Sequence, residues 1–365
     1  MNDQVNIQNC QTLEGAEQLH DLTVLVTAAG NQYMPGFVEC LRKNGERNIR
    51  IVGADMNDDP TILQMMDAMY QVPAAADPSY TDRLYEICVQ EKVDIIMPIM
   101  SAELPGLVAD KERFAQIGTI VSVSNLESVM IANNKYRLYQ FMKDHGMSMP
   151  RFTRIDKADD LEAAFRYVGY PESPVCVKAT ELSGSRGIRI VDPSKSRFDI
   201  LFSEKPNSLY ITYEELDTIL HEKEEIPELL VMEALPGAEF SIDLVADHGK
   251  ILYMAARQSN SIVASIPMEA TLFHDEEAYR IAERVVELLR LDGNADLDFK
   301  YDRNGRPVLM EMNPRLAATM EIFMQGGMNL PYLRIKQLLG EELPKCEIKT
   351  GVKMKRRYAE MFCNT

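Results

Sequence analysis

Positive charge is what this 365-residue chain is short of. Its 39 Lys and Arg stand against 56 Asp and Glu, a net charge of −17. That argues against affinity for nucleic acid or an anionic membrane through a general basic field, and leaves room only for a local basic pocket. Cysteine is sparse as well. Cys10, Cys40, Cys88, Cys176, Cys346 and Cys363 are scattered, with no Cys-x-x-Cys pair and no histidine at metal-ligand spacing. A disulfide framework and a zinc site are therefore not expected, and a reducing compartment fits. No apolar run approaches the ~18 residues that span a bilayer. The polar start "MNDQVNIQNCQTLEG" lacks the apolar stretch of a signal peptide. The expected location is cytoplasmic. There is no internal repeat, no low-complexity tract, and no Ser-His-Asp or Cys-His constellation.

What is present is the composition of a packed protein, 46% hydrophobic and 26% charged, with a length that suits two or three domains. The 22 methionines are expected to fill cores. Strand-like and helix-like segments alternate at first. "LTVLVTAAG" (22–30), "IRIVGADMN" (49–57) and "DIIMPIM" (94–100) read as buried strands. "PGFVECLRKNG", with Gly45 as its stop, and "TDRLYEICVQEKV" read as helices between them. This alternation predicts a parallel, Rossmann-like α/β domain over roughly 20–125. Its first turn lacks the Gly-x-Gly-x-x-Gly spacing of a dinucleotide site. Asp55 could hold a ribose there, but alone it is a polar strand terminus.

Beyond it, 124–150 reads as a helix with Ser124 and Glu127 at capping-box spacing and Gly146 at its end. Residues 174–192 read as strand, Gly/Ser loop, strand. Residues 196–228 show one short helix, and 229–258 read as strand, turn, strand, a tight Asp-His-Gly turn, and strand. Residues 275–291 read as an amphipathic helix and 293–315 as a hairpin closed around "DRNG". The locally basic 351–362 reads as a strand with a charged edge packing back on the body. A contribution to a substrate or homodimer surface is the alternative.

The 293–315 hairpin carries the chemistry. Asp296 and Asp298 share one face of its first arm, and Glu311, Asn313 and Arg315 share one face of its second. Paired arms would bring carboxylates and an amide oxygen together, hard ligands suited to Mg²⁺. A guanidinium beside them suits phosphate oxygens. A solvated strand face would account for one or two of these five residues. The loop "LSGSRG" (182–187) has small residues whose N–H groups can cradle phosphates, with Lys178 just before it. A plain flexible hairpin tip is the alternative there. Lys135, on the preceding helix, is anonymous by itself.

The ordered set Lys135, "VCVKATELSGSRGI", "VMEALPGAEFSID", "NADLDF" and "LMEMNPR" resembles the ATP-grasp superfamily over about residues 20–340. It is most similar to the branch holding the carbamoyl phosphate synthetase large subunit and many carboxylate–amine ligases. The resemblance implies a pre-ATP-grasp Rossmann-like domain (1–125), then an ATP-grasp fold of two α+β subdomains (126–230 and 231–365) clasping ATP. It implies that Lys135 and Lys178 contact the α- and β-phosphates, and that Ser183, Gly184, Ser185, Arg186 and Gly187 close over them as a lid. Glu233, Ala234 and Leu235 would read adenine, and Glu239 would hold the ribose. Asp298, Glu311 and Asn313 would bind Mg²⁺, for which Mn²⁺ can substitute. Arg315 would stabilise the phosphoryl group in transfer, with Arg257 near the γ-phosphate. Ala179 stands where many relatives have proline, the lid is poorer in glycine, and "LAATMEIFMQGG" is only partly similar to the usual substrate loop.

The activity implied is ATP-dependent joining of a small, amino-acid-like carboxylate to an amine through an acyl phosphate, releasing ADP and phosphate. The lid would keep water from that intermediate. One alternative is a carbamoyl-phosphate-type enzyme acting on bicarbonate or carbamate. Another is a non-catalytic ATP-binding module, which predicts missing metal ligands.

Overall fold

The computed structural model describes residues 19–182, 184, 186–205, 208–263 and 266–363. Their contacts cluster into two compact units. One holds the described residues of Met1–Met130, Phe240–Asp298 and Met312–Thr365, and the other holds those of Ile131–Glu239 and Phe299–Glu311.

The first unit opens with a parallel sheet of β1 (Leu22–Thr27), β2 (Ile49–Asp55), β3 (Ala68–Gln71), β4 (Ile95–Met97) and β5 (Ile120–Val121), in the order β3-β2-β1-β4-β5. Val24, Leu25 and Val26, then Ile51 and Val52, then Ile95, Ile96 and Met97 are all fully buried. Unbroken apolar runs of this kind mark strands covered on both faces. The helices Met34–Arg42 and Tyr80–Glu91 supply crossovers, as the sequence predicts. The first stops three residues before Gly45, which takes φ 81° in the following turn. Asp55 accepts hydrogen bonds from Gly30 N (2.9 Å) and Asn57 N (2.9 Å), so its carboxylate serves the turns at the strand ends.

The second unit carries an antiparallel sheet of β6 (Phe152–Ile155), β7 (Val175–Ala179), β8 (Ile188–Val191) and β9 (Leu229–Glu233), in the order β6-β9-β7-β8. Alternation sorts its side chains. Val175, Val177, Ala179, Leu229 and Val231 pack on one face with Leu161, Phe165 and Val168 of the helix Leu161–Val168. Cys176, Leu230 and Met232 pack on the other with Tyr139, Leu235, Val308 and Met310. Lys178 has the parity of Cys176 and so stands on this second face.

A six-stranded sheet has the order β14-β13-β10-β11-β12-β15, from β10 (Glu239–Asp247), β11 (Lys250–Val263), β12 (Ile266–Phe273), β13 (Gly293–Tyr301), β14 (Pro307–Asn313) and β15 (Lys353–Lys355). His248 (φ 46°) and Gly249 (φ 97°) join β10 to β11 with both residues left-handed, the backbone a two-residue hairpin requires. The amphipathic helix is Glu276–Leu289, capped by Asp275, whose carboxylate accepts from Ala278 N at 2.9 Å.

Three expectations need correction. The segment 124–150 is two helices, Leu126–Ala132 and Lys135–Asp144. Asn134 caps the second by accepting from Arg137 N at 2.9 Å. Among the described residues the Ser124 hydroxyl accepts from Asp292 N at 3.0 Å rather than from a helix N–H, and Asn125 accepts from Ser128 N. The charged region 196–228 holds two helices, Arg197–Ser203 and Tyr213–Leu220, each with its own capping box. Finally, β12 was not foreseen, because "IPMEATLF" has no clean alternation and gains its order from pairing with β11 and β15. Among the described residues no helix is long and apolar enough to cross a membrane.

Candidate functional site

In the second unit, Lys135 opens the helix Lys135–Asp144 and is only 4% exposed. Its backbone N donates to Thr180 O (2.9 Å). Its Nζ donates to Leu182 O (2.8 Å) and lies 3.4 Å from Glu311 Oε1. Lys178 is 7% exposed. Burial opposes its charge, but its surroundings hold the ammonium above its ordinary range. Burial pushes Tyr139 up to about 12 and raises Cys176, so both stay neutral near pH 7. The carboxylates of Glu311 and Glu239 are then the groups that favour the cation. Two buried ammonium groups near one half-buried carboxylate make a locally cationic cluster within an acidic protein.

The loop between β7 and β8 turns on glycine. Gly187 takes φ 68°, and a Cβ there would come within 2.7 Å of the Ala179 Cβ. Its carbonyl accepts from Ala179 N at 2.9 Å. Gly184, Arg186 and Gly187 are exposed; Ser183 and Ser185 lie outside the described residues. After β9 the chain runs close to its own backbone. Glu233 pairs with Arg303 (3.1 Å), Ala234 N donates to Pro174 O (3.0 Å), and Leu235 is buried in the core that holds Tyr139. Glu239 is exposed. A Cβ on Gly237 would sit 2.6 Å from Tyr301 O, so Gly237→Ala should cost about 1–3 kcal/mol, read as a lowered urea midpoint. An unchanged midpoint would mean that this close approach is not required.

In the first unit, Asp298 Oδ1 accepts from Ser241 Oγ (2.6 Å), which fixes the carboxylate's orientation. Asn313 is buried, and its Oδ1 accepts from Arg315 Nη2 (3.0 Å). Arg315 Nη1 donates to Leu316 O (2.9 Å), while its buried Nε has no partner among the described residues. Arg257 is 4% exposed and fully engaged. Nε donates to Asp243 (2.8 Å), Nη2 to Asp296 (3.2 Å) and Nη1 to Ser259 Oγ (3.4 Å). Burial raises Asp243 to about 6 against the pull of Arg257, with Asp298 adding to the rise. Ser241 and Asp243 were missed in the sequence. Their signal was there: Glu239, Ser241 and Asp243 place a polar group at every second position of a strand that is otherwise apolar.

Two family models match. "ATP-grasp in the biosynthetic pathway with Ter operon" covers residues 225–359, and "PylC-like, N-terminal domain" covers 24–122. Residues 225–359 are thus similar to the ATP-grasp superfamily. The chain's relatives and structural neighbours are ATP-grasp ligases that form carbon–nitrogen bonds. The first model spans Glu233–Glu239, Asp298, Glu311, Asn313 and Arg315, and the second spans the parallel sheet from Val24 onward. A carbamoyl-phosphate synthase of Methanobrevibacter smithii is 21% identical over 75% of this chain and 69% of its own. Two solved structures share the fold. The L-amino acid ligase of Bacillus licheniformis has TM-score 0.63 and 14% identity, over 90% of this chain and 76% of that one. The N5-carboxyaminoimidazole synthetase of Staphylococcus aureus, complexed with ADP, has TM-score 0.64 and 14% identity, over 91% and 82%.

Proposed function

We propose that this ATP-grasp enzyme joins a small carboxylate, amino-acid-like in size, to an amine through an acyl phosphate. The observation that carries the reading is the buried pair Lys135 and Lys178 beside Glu311, on the far side of a glycine turn from β8. Fixed ammonium groups neutralise phosphate charge without reorganising, which is the main demand of phosphoryl transfer. The substrate carboxylate oxygen attacks the γ-phosphorus, and the bond to the β-phosphate oxygen breaks with its electron pair leaving on ADP. The amine nitrogen then attacks the acyl carbon, phosphate leaves, and the nitrogen gives its proton to water.

Arg315, held by Asn313 and Leu316, would meet the phosphoryl oxygens in transfer. Loop 182–187 would exclude water, and Glu233, Ala234, Leu235 and Glu239 would take the adenosine. Asp298 and Asn313, oriented by Ser241 and Arg315, offer oxygen donors of the kind Mg²⁺ takes, and Glu311 offers a carboxylate of the same kind in the other unit. Bound there, Mg²⁺ would neutralise phosphate charge. Arg257, with its nitrogens spent on Asp243, Asp296 and Ser259, would keep β10, β11 and β13 in place beneath Asp298 rather than touch phosphate.

Incubation with ATP, Mg²⁺ and hydroxylamine across a carboxylate panel should yield a hydroxamate with the acid that is activated. The name of the M. smithii relative favours a second reading, phosphorylation of bicarbonate or carbamate, which bicarbonate-stimulated ADP release without hydroxamate would support. If neither the panel nor bicarbonate stimulates ADP release, the ligase reading fails.

A further inference from the structure

The basic segment 351–362 does more than close a sheet edge. β15 pairs with β12 through Lys353↔Thr271, Met354↔Ala270 and Lys355↔Glu269. One residue on, Arg356 N still donates to Met268 O at 2.8 Å. The Arg356 side chain is then clamped twice. Nε donates to Pro267 O (3.0 Å) and Nη2 to Ala318 O (2.6 Å). Ala318 lies three residues past Arg315, in the segment where sequence similarity to the family's substrate loop fades.

Two carbonyls orient this guanidinium, but they do not balance its charge. No carboxylate forms an ion pair with Arg356 among the described residues, and Nη1 has no hydrogen-bond partner there. Other buried or half-buried arginines of this unit have an acid or amide oxygen within reach: Arg257 has Asp243 and Asp296, Arg334 has Asp292 at 2.9 Å, and Arg315 has Asn313. Burial accordingly pushes the Arg356 cation below its ordinary range; Glu321 works against that push and Arg257 adds to it. A desolvated cation with a free fork position gains most from an anion that arrives with a planar pair of oxygens. The neighbouring chain is unsatisfied too. Arg315 Nε and Thr319 Oγ1 are buried without partners among the described residues, three residues before and one residue after the Ala318 that Arg356 clamps. Buried polar groups left unpaired by the protein cluster where ligands bind.

We propose that Arg356 is a substrate-binding residue, and that its Nη1 edge takes the carboxylate group of the acid to be activated, beside the segment that carries Arg315. The clamps on Pro267 and Ala318 aim the guanidinium, and β15 delivers it. This rests on the ligase reading for the identity of the anion, so binding and turnover are measured separately.

The experiment compares wild type, Arg356→Lys and Arg356→Gln. In the binding arm, thermal shift is recorded with a non-hydrolysable ATP analogue, Mg²⁺ and each carboxylate of the panel. At least one carboxylate should stabilise the wild type, stabilise Arg356→Lys less, and leave Arg356→Gln unmoved, while the analogue alone stabilises all three equally. In the turnover arm, KM for that carboxylate should rise roughly tenfold or more in Arg356→Gln, with KM for ATP unchanged within twofold. Equal stabilisation of wild type and Arg356→Gln by every carboxylate overturns the proposal. So does a panel in which none stabilises the wild type, or a KM for ATP that rises in parallel, the mark of a merely structural clamp. Failure of the ligase reading shows differently, as wild-type protein that binds a carboxylate and makes no hydroxamate.

Discussion

Glu311→Ala is expected to lower ATP turnover by about 10²–10³-fold or more while leaving the fold intact, the range for removing one preorganised group at a transferring charge centre. Glu311 sits at the end of β14 with its side chain 25% exposed, against a Lys135 side chain only 6% exposed. Alanine removes the proposed metal ligand and also leaves Lys135 Nζ with Leu182 O as its remaining acceptor among the described residues. Glu311→Gln separates the two effects. It keeps an oxygen for the Lys135 ammonium and loses the negative charge. Turnover should fall in both variants, while the urea midpoint should drop only in Glu311→Ala, and slightly. Mg²⁺ titration of the residual activity in Glu311→Gln should require a higher concentration than wild type. Turnover unchanged in Glu311→Ala would show that the metal site lies elsewhere.

Arg257→Met carries the second large expectation, and it concerns stability. The guanidinium is 4% exposed, and the two acids it joins, Asp243 and Asp296, are 1% and 5% exposed. Methionine matches the stem but strands the buried carboxylate of Asp243 and takes one partner from Asp296. Removing one partner of a buried pair costs about 3–5 kcal/mol, because the charge left behind has lost its compensation. Arg257→Lys should fall between, since one ammonium cannot span both acids as the planar fork does. The pH dependence has a definite sign. Asp243 already stands at about 6, above its ordinary carboxylate value, by burial, with Arg257 restraining the rise. Without Arg257 it rises further. An acid whose folded pKa is raised binds more protons folded than unfolded, so the stability tied to it is present at low pH and is lost as pH rises. The deficit of Arg257→Met should therefore be smaller at pH 5 than at pH 8 by urea unfolding. A deficit independent of pH would mean that Asp243 is not the group left stranded.

Why those two residues behave differently was only half legible in the sequence. Glu311 and Asn313 stand out as candidates because they share one face of a strand, and strand alternation is local. The parallel sheet was legible for a similar reason: unbroken apolar runs such as Val24–Val26 can only be covered strands. Arg257 shows the limit. Its spacing says which face of β11 it occupies, but not that Asp243 and Asp296 wait there, since those partners come from pairings set by the whole sheet. β12 was hidden by the same dependence on neighbours. The break at Asn133–Asn134 was hidden by a helical pattern that continues across it, with a capping asparagine easily taken for one more polar face residue. Arg356 was visible as charge and opaque as geometry, because Pro267 and Ala318 reach it from segments 89 and 38 residues away.

The division of the second unit into Ile131–Glu239 and Phe299–Glu311 has a temporal consequence. Tyr139, which touches Met310 Sδ at 3.6 Å, is separated from it by 171 residues. Val308 and Met310 belong to the same core face as Cys176 and Met232. A ribosome that has finished residue 239 has therefore made a sheet with one apolar face still bare, and must add some seventy more residues before the plug arrives. Until then Lys135 and Lys178 lie uncovered on that face, without Glu311. Nascent chains arrested just before and just after β14 should differ sharply in protease resistance of the 131–239 segment, and the unit that holds Lys135 and Lys178 would be completed only when β14 arrives.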